Sequence, residues 1–133
     1  MATLIREISV AVPPEAAWDA IRDFGNVCER LVPGFLTESR MDGDARIVTF
    51  ANGMVLREPL VSRNDEARRL VYSAVGGRFS HYNAALQVFG TGPESRIVWT
   101  VDLLPDDLAP MAEDLMTQAA ATIKRTLESR SGA

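Results

Sequence analysis

Between residues 3 and 12 apolar and polar side chains alternate, with Leu4, Ile8, Val10 and Val12 on one side and Glu7, Ser9 and Ala11 on the other. A period of two reads as a strand with one buried face. Pro13-Pro14 ends it. Pro14 and Glu15 then suit the first turn of a helix, where a missing N–H costs nothing and a carboxylate meets the positive end. Ala17, Trp18, Ala20, Ile21 and Phe24 form an apolar stripe at helical spacing, and Gly25-Asn26 stops it. Residues 26–32 add a further helical turn before Pro33-Gly34.

The period then returns to two. Strands are predicted near 35–41, 45–51, 55–63, 69–75, 80–89 and 96–104. The segments between them are turn chemistry: Asp42-Gly43-Asp44, Asn52-Gly53, Asn64-Asp65-Glu66, Gly76-Gly77 and Gly90 to Pro93. Connections this short make the strands mostly antiparallel. Pro59 inside a strand predicts an edge or a bulge. From Asp106 the period is 3.6 again, with Asp106 and Asp107 at the helix start and Pro110 in or near its first turn. Leu108, Met111, Leu115, Ala119, Ile123 and Leu127 are expected to face the core, widened by Met116 and Ala120, and Ser129–Ala133 to fray.

Strands in series followed by one long helix define an α+β fold. The sheet's apolar face has no second sheet to meet, so it must coil around the helix. Such a core closes incompletely, and a cavity is expected between sheet and helix.

At 133 residues the chain reads as one domain, 1–133. A domain of this size hides roughly 65–70% of its unfolded surface and needs no staples. An apolar fraction of 47% and a charged fraction of 24% fit a soluble globular protein. The net charge of −4, with no Lys/Arg cluster, argues against nucleic-acid binding. Cys28 is alone, which excludes an intramolecular disulfide and fits a reducing, cytoplasmic setting. Arg6 and Glu7 interrupt any signal core, and no run approaches a membrane span. One histidine and one cysteine leave little for a transition metal, so neither metal nor cofactor is expected.

Three groups of residues carry a family resemblance: Val12-Pro-Pro-Glu-Ala-Ala-Trp18 with Asp23-Phe24-Gly25-Asn26; Arg57-Glu58-x-Leu60 with Asp65, Arg69 and Tyr72; and Tyr82-Asn-Ala-Ala-Leu86 with Val98-Trp99-Thr100. In this order and spacing the chain resembles the superfamily of polyketide cyclases, START lipid-transfer domains and the birch-pollen allergen. That resemblance implies a helix-grip fold, a curved seven-stranded sheet wrapped around a long C-terminal helix. By similarity to the plant abscisic-acid receptors of the same fold, Glu58 and Tyr82 match ligand-facing positions, Tyr72 a cavity aromatic, and Val48 and Phe50 two wall positions. Asn52-Gly53-Met54 and Gly76-Gly77 match the two loops at the mouth. The receptor's hormone-binding lysine falls near Pro33 and a second glutamate on Leu104, so the resemblance carries the container and not the hormone.

Read from the residues, Glu58 lies between Leu56 and Leu60 on one strand face. Inward, burial would raise its pKa and equip it as a hydrogen-bond donor or acid–base group. Outward, it would pair with Arg57 or Arg69. Tyr72 and Tyr82 each offer an apolar ring with a hydroxyl tip, on strands expected to be neighbours. His81 has the opposite parity to Tyr82 and points away. Asp102 shares parity with Val98 and Thr100; were that face inward, it would be a second cavity acid, at the cost of an exposed Trp99. Met111, Leu115 and Met116 are expected both to pack the core and to line the cavity.

Two functions follow. The first is binding of a small apolar or amphipathic molecule in the cavity. The alternative is a polyketide cyclase/dehydratase-like enzyme using Glu58, Tyr82 and Asp102. Association into a homodimer is left open.

Overall fold

The structure, a computed structural model, describes residues 1–131. Strand β1 (Ala2–Val10) leads through α1 (Pro14–Arg22), a 3-10 turn at Phe24–Asn26 and α2 (Val27–Arg30) into six consecutive strands. These are β2 (Leu36–Asp42), β3 (Ala45–Phe50), β4 (Val55–Asn64), β5 (Arg69–Ser73), β6 (His81–Phe89) and β7 (Ser95–Leu104). A second 3-10 turn, Asp106–Leu108, opens into α3 (Ala109–Ser131). The sheet is antiparallel with the order β1-β7-β6-β5-β4-β3-β2. Hairpins account for every pairing except that of the first strand with the last, and α3 crosses the concave face. This is the α+β arrangement that the residue pattern predicts and the helix-grip fold that the family resemblance implies.

Register sets which side chains meet the helix. Ile8 lies opposite Ile97 and Leu4 opposite Val101, so one face of β1 and β7 is continuous. Ile97, Trp99, Val101 and Leu103 are all buried on it. Each apolar side chain of this size contributes about 1.5–3 kcal/mol by leaving water. Pro59 sits on an interior strand rather than an edge, beside a register shift between Leu60 and Ser62. The bulge half of its expectation holds: β4 pairs β3 before that point and β5 after it.

The buried face of α3 is turned slightly from the expected stripe. Leu108, Met116, Ala119, Ile123 and Leu127 are buried, but so are Ala112, Thr122 and Thr126, while Met111, Leu115 and Ala120 are only partly covered. Polar ties to β1 fix this rotation. Arg6 donates to Glu113 at 2.6 Å and to the Thr117 hydroxyl at 2.9 Å. Lys124 donates to the Ser9 carbonyl at 2.6 Å, and Glu128 accepts the Ala11 N–H at 2.9 Å. Buried Thr122 satisfies its hydroxyl on the Gln118 carbonyl at 3.1 Å. Fraying was expected from Ser129, yet the helix runs to Ser131, held by Arg130 donating to the Glu29 carbonyl at 2.6 Å. Residues 132–133 of that expectation lie outside the described residues. No described helix is long and apolar enough to cross a membrane.

Candidate ligand cavity

A cavity of about 90 Å³ lies between the sheet and α3. Its walls are mostly apolar: Val48 and Phe50 from β3, Leu56 from β4, Ala112, Leu115 and Met116 from α3. Phe35, Met54 and Phe79 line it from the loops that precede β2, β4 and β6. Five of the lining residues carry polar side-chain atoms, Arg46, Glu58, Tyr72, Tyr82 and Trp99.

Arg46 and Glu58 are cross-strand partners on β3 and β4. Both are buried, at 5% and 6% exposure. Arg46 Nε donates to Glu58 Oε1 at 2.7 Å, and Nη1 donates to the Phe24 carbonyl at 3.2 Å. The guanidinium lies 4.0 Å from the centre of the Phe24 ring and 4.7 Å from that of Tyr72. Two aromatic faces therefore hold the cation that holds the carboxylate. A planar guanidinium suits this stacking and a lysine ammonium would not reproduce it.

Burial drives the Glu58 carboxyl above its ordinary range, and the Arg46 charge pulls the other way without cancelling it. Tyr72 and Tyr82 come from neighbouring strands, with ring centres 6.5 Å apart, and the Phe79 ring packs tilted against Tyr82 with centres 5.0 Å apart. Burial raises the Tyr72 phenol first and the Glu58 charge adds to it. For Tyr82 burial again dominates, followed by Tyr72 and Glu58. Both phenols therefore stay protonated, as hydrogen-bond donors, at neutral pH. Trp99 is 8% exposed, and its indole Nε1 is buried with no hydrogen-bond partner. It lies near the Tyr72 hydroxyl without closing a bond on it.

The sequence-predicted residues divide cleanly. Val48, Phe50, Glu58, Tyr72, Tyr82, Leu115 and Met116 all line the cavity. Met111 packs against the core but lies off the cavity wall, because of the rotation of α3. Asp102 is a correction: it faces outward and accepts the Thr3 hydroxyl at 2.5 Å. The reason is the bulk of Trp99, whose burial fixes β7 with Val98, Thr100 and Asp102 on the outer face. His81 is exposed, as its parity predicts. Cys28 donates to the Leu36 carbonyl at 3.3 Å, and burial raises its thiol pKa, with Glu29 and Glu38 adding, so no reactive thiolate forms there.

Arg46 and Trp99 are the polar cavity-lining residues the sequence reading missed. Arg46 carried a usable signal, since it shares parity with Val48 and Phe50 on one strand. Trp99 followed from refusing an exposed indole.

Loop geometry shapes the mouth. Gly76 has φ +119, open to glycine but strained for other residues, and lets the β5–β6 loop turn back over β4. Val75 and Arg57 then exchange backbone hydrogen bonds of 2.7 and 3.0 Å. Across that loop Phe79 reaches the cavity, while Met54 reaches it from the β3–β4 loop.

Solved structures share this architecture. An uncharacterised protein from Bacillus thuringiensis superposes with a TM-score of 0.84 at 19% identity, covering 95% of this chain and 98% of that one. A solution structure from Thermobifida fusca gives 0.79 at 26% identity, covering 99% and 94%. Norcoclaurine synthase from Thalictrum flavum, in complex with dopamine and hydroxybenzaldehyde, gives 0.71 at 16% identity, covering 98% and 86%. No curated protein matches the sequence. A family model described as polyketide cyclase/dehydrase and lipid transport matches residues 1–129, from the first strand to the last turns of α3, and the chain that builds this sheet, helix and cavity belongs to that family.

Proposed function

We propose that this protein binds a small apolar or amphipathic molecule in the cavity between sheet and α3. The observation that carries the reading is the division of the wall: apolar side chains surround a space whose polar lining residues are Arg46, Glu58, Tyr72, Tyr82 and Trp99. Pockets that select small molecules combine these two features. At about 90 Å³ the space is smaller than the roughly 150 Å³ void that takes benzene. A larger guest therefore enters with movement of Met54 and Phe79 at the mouth. Methionine suits such a wall because its side chain repacks at low cost.

A cyclase-like activity is the second reading, favoured by the raised pKa of Glu58 beside two protonated phenols. It rests on one carboxyl only, since Asp102 lies on the other face of the sheet. Norcoclaurine synthase supports this reading only as a protein of like fold whose complex holds two small aromatic molecules.

Native mass spectrometry of freshly purified protein tests the first reading. A mass increment that survives gentle ionisation and is lost on denaturation supports it. Absence of any guest, together with no ligand-dependent gain in melting temperature across an apolar panel, sinks it. For the second reading, turnover of a test carbonyl compound that persists unchanged in Glu58→Gln and Tyr82→Phe refutes a catalytic role for those groups. The lone Cys28 fits a cytoplasmic protein. Association into a homodimer is read by light scattering, and the cavity reading does not depend on it.

A further inference from the structure

Two charged residues line the cavity among those described, Arg46 and Glu58, and they neutralise each other at 2.7 Å. The Arg46 guanidinium is further committed to the Phe24 carbonyl and to two ring faces. No cation is left for a guest. A carboxylate or phosphate entering this space would give up its hydration and meet no counter-charge.

Uncharged hydrogen-bond donors line the wall instead. The Trp99 indole N–H is buried with no hydrogen bond closed on it. An indole nitrogen can only donate. A buried donor left unpaired costs free energy that an arriving acceptor recovers. The Tyr72 hydroxyl lies near it, and Tyr82, its ring centre 6.5 Å from that of Tyr72, lines the same cavity.

We infer that the guest is uncharged and carries an acceptor oxygen, a carbonyl or ether group, that takes the Trp99 indole N–H and a tyrosine hydroxyl, and that the cavity rejects carboxylates of the same shape. This rests on the cavity-binding reading above and narrows it to a ligand class. The apolar remainder of such a molecule faces Val48, Leu56 and Met116, with its oxygen at the Trp99 end.

Three probes of nearly equal shape separate the possibilities: acetophenone, with a carbonyl; benzoate, with a carboxylate; and cumene, with neither. The chain has two tryptophans, so a nitrogen–proton correlation spectrum shows two indole signals. Trp18 donates to Asp65 on the surface at 2.9 Å and serves as an internal reference, while a Trp99→Phe variant assigns the other. At neutral pH acetophenone should shift the Trp99 signal downfield and saturably while the Trp18 signal stays put. Benzoate should bind at least about tenfold more weakly, because its charge is buried unpaired. Cumene should bind without the downfield shift, and Trp99→Phe should erase the preference for acetophenone over cumene. Benzoate binding as tightly as acetophenone, or an acetophenone titration that leaves the Trp99 N–H unmoved, overturns the ligand class while leaving a binding cavity in place. If none of the three probes gives a saturable shift anywhere on the wall, the cavity-binding reading fails and takes this inference with it.

Discussion

Replacing Arg46 by Met tests the energetic centre of the site. The substitution preserves much of the volume and the apolar stem but removes the cation. Glu58 is then buried at 6% exposure with no partner. Breaking a buried pair on one side costs about 3–5 kcal/mol. The lost stacking on Phe24 and Tyr72 lies within that range rather than on top of it, since such contributions are not additive. An exposed pair supplies the control. Arg57 contacts Asp42 with 45% of its side chain exposed, so Arg57→Met should cost less than about 1 kcal/mol. The double variant Arg46→Met/Glu58→Leu, with neither charge left, should return to within about 1–2 kcal/mol of the parent.

Acidity gives an independent check with a definite sign. Burial holds the Glu58 carboxyl above its ordinary value in the folded state, and Arg46 opposes that rise. Without Arg46 the carboxyl rises further. A raised folded pKa contributes stability that is full below the unfolded carboxylate value, about 4.3, and is lost as pH rises through the folded value. The deficit of Arg46→Met should therefore be smaller at about pH 5 than at about pH 7. Urea denaturation followed by tryptophan fluorescence at both pH values reads the parent, the single variants Arg46→Met, Glu58→Leu and Arg57→Met, and the double variant. Two results would refute the reasoning: Arg46→Met costing no more than Arg57→Met, or the double variant as unstable as the sum of the two single changes.

Other consequences are open to measurement. Asp65 accepts from Arg22 Nε at 2.8 Å and from Trp18 Nε1 at 2.9 Å, and the Arg22 bond, then the Trp18 bond, hold its carboxyl below the ordinary range. Stability from a lowered pKa is present above the unfolded value and lost as pH falls through the folded one. Asp65→Asn should thus melt below the parent at neutral pH, with the gap closing in acid; a constant gap across a melting-temperature series would discard this account. Ala112→Leu puts three more carbons against the cavity and should abolish guest binding while changing stability by no more than about 1–3 kcal/mol. Retained binding by calorimetry would mean that the guest sits elsewhere. Gly76→Ala forces a side chain onto φ +119 with its Cβ 3.4 Å from the Val55 carbonyl, and should cost about 1–3 kcal/mol in urea titration. An unchanged midpoint would show that the loop turns by another route.

The chain order of elements was legible because each announces itself locally. Period-two runs separated by Asp-Gly, Asn-Gly and Gly-Gly turns have few alternatives to antiparallel hairpins, and a 3.6-period stripe of that length has none but a helix. Glu58 and Tyr72 have apolar neighbours at i±2, which opened an inward reading, and the family resemblance favoured it; Tyr82, flanked by Ser80 and Ala84, leaned on the resemblance as well. Val48 and Phe50 needed the family resemblance.

Tertiary structure decided what local pattern left free. Trp99 and Asp102 lie three residues apart on one strand and so on opposite faces, and only the packed core settles that the indole goes in and the carboxylate out. Met111 left the cavity because Arg6 and Lys124 anchor α3 to β1, a rotation of the helix that its own periodicity does not encode. The partner of Glu58 also lay beyond sequence reasoning. Arg57 and Arg69 were the arginines considered for it, yet Arg46, twelve residues away, is the one the β3–β4 register sets opposite it. Periodicity determines which face a side chain shares with its own neighbours; pairing across the sheet and the docking of α3 determine what that face meets.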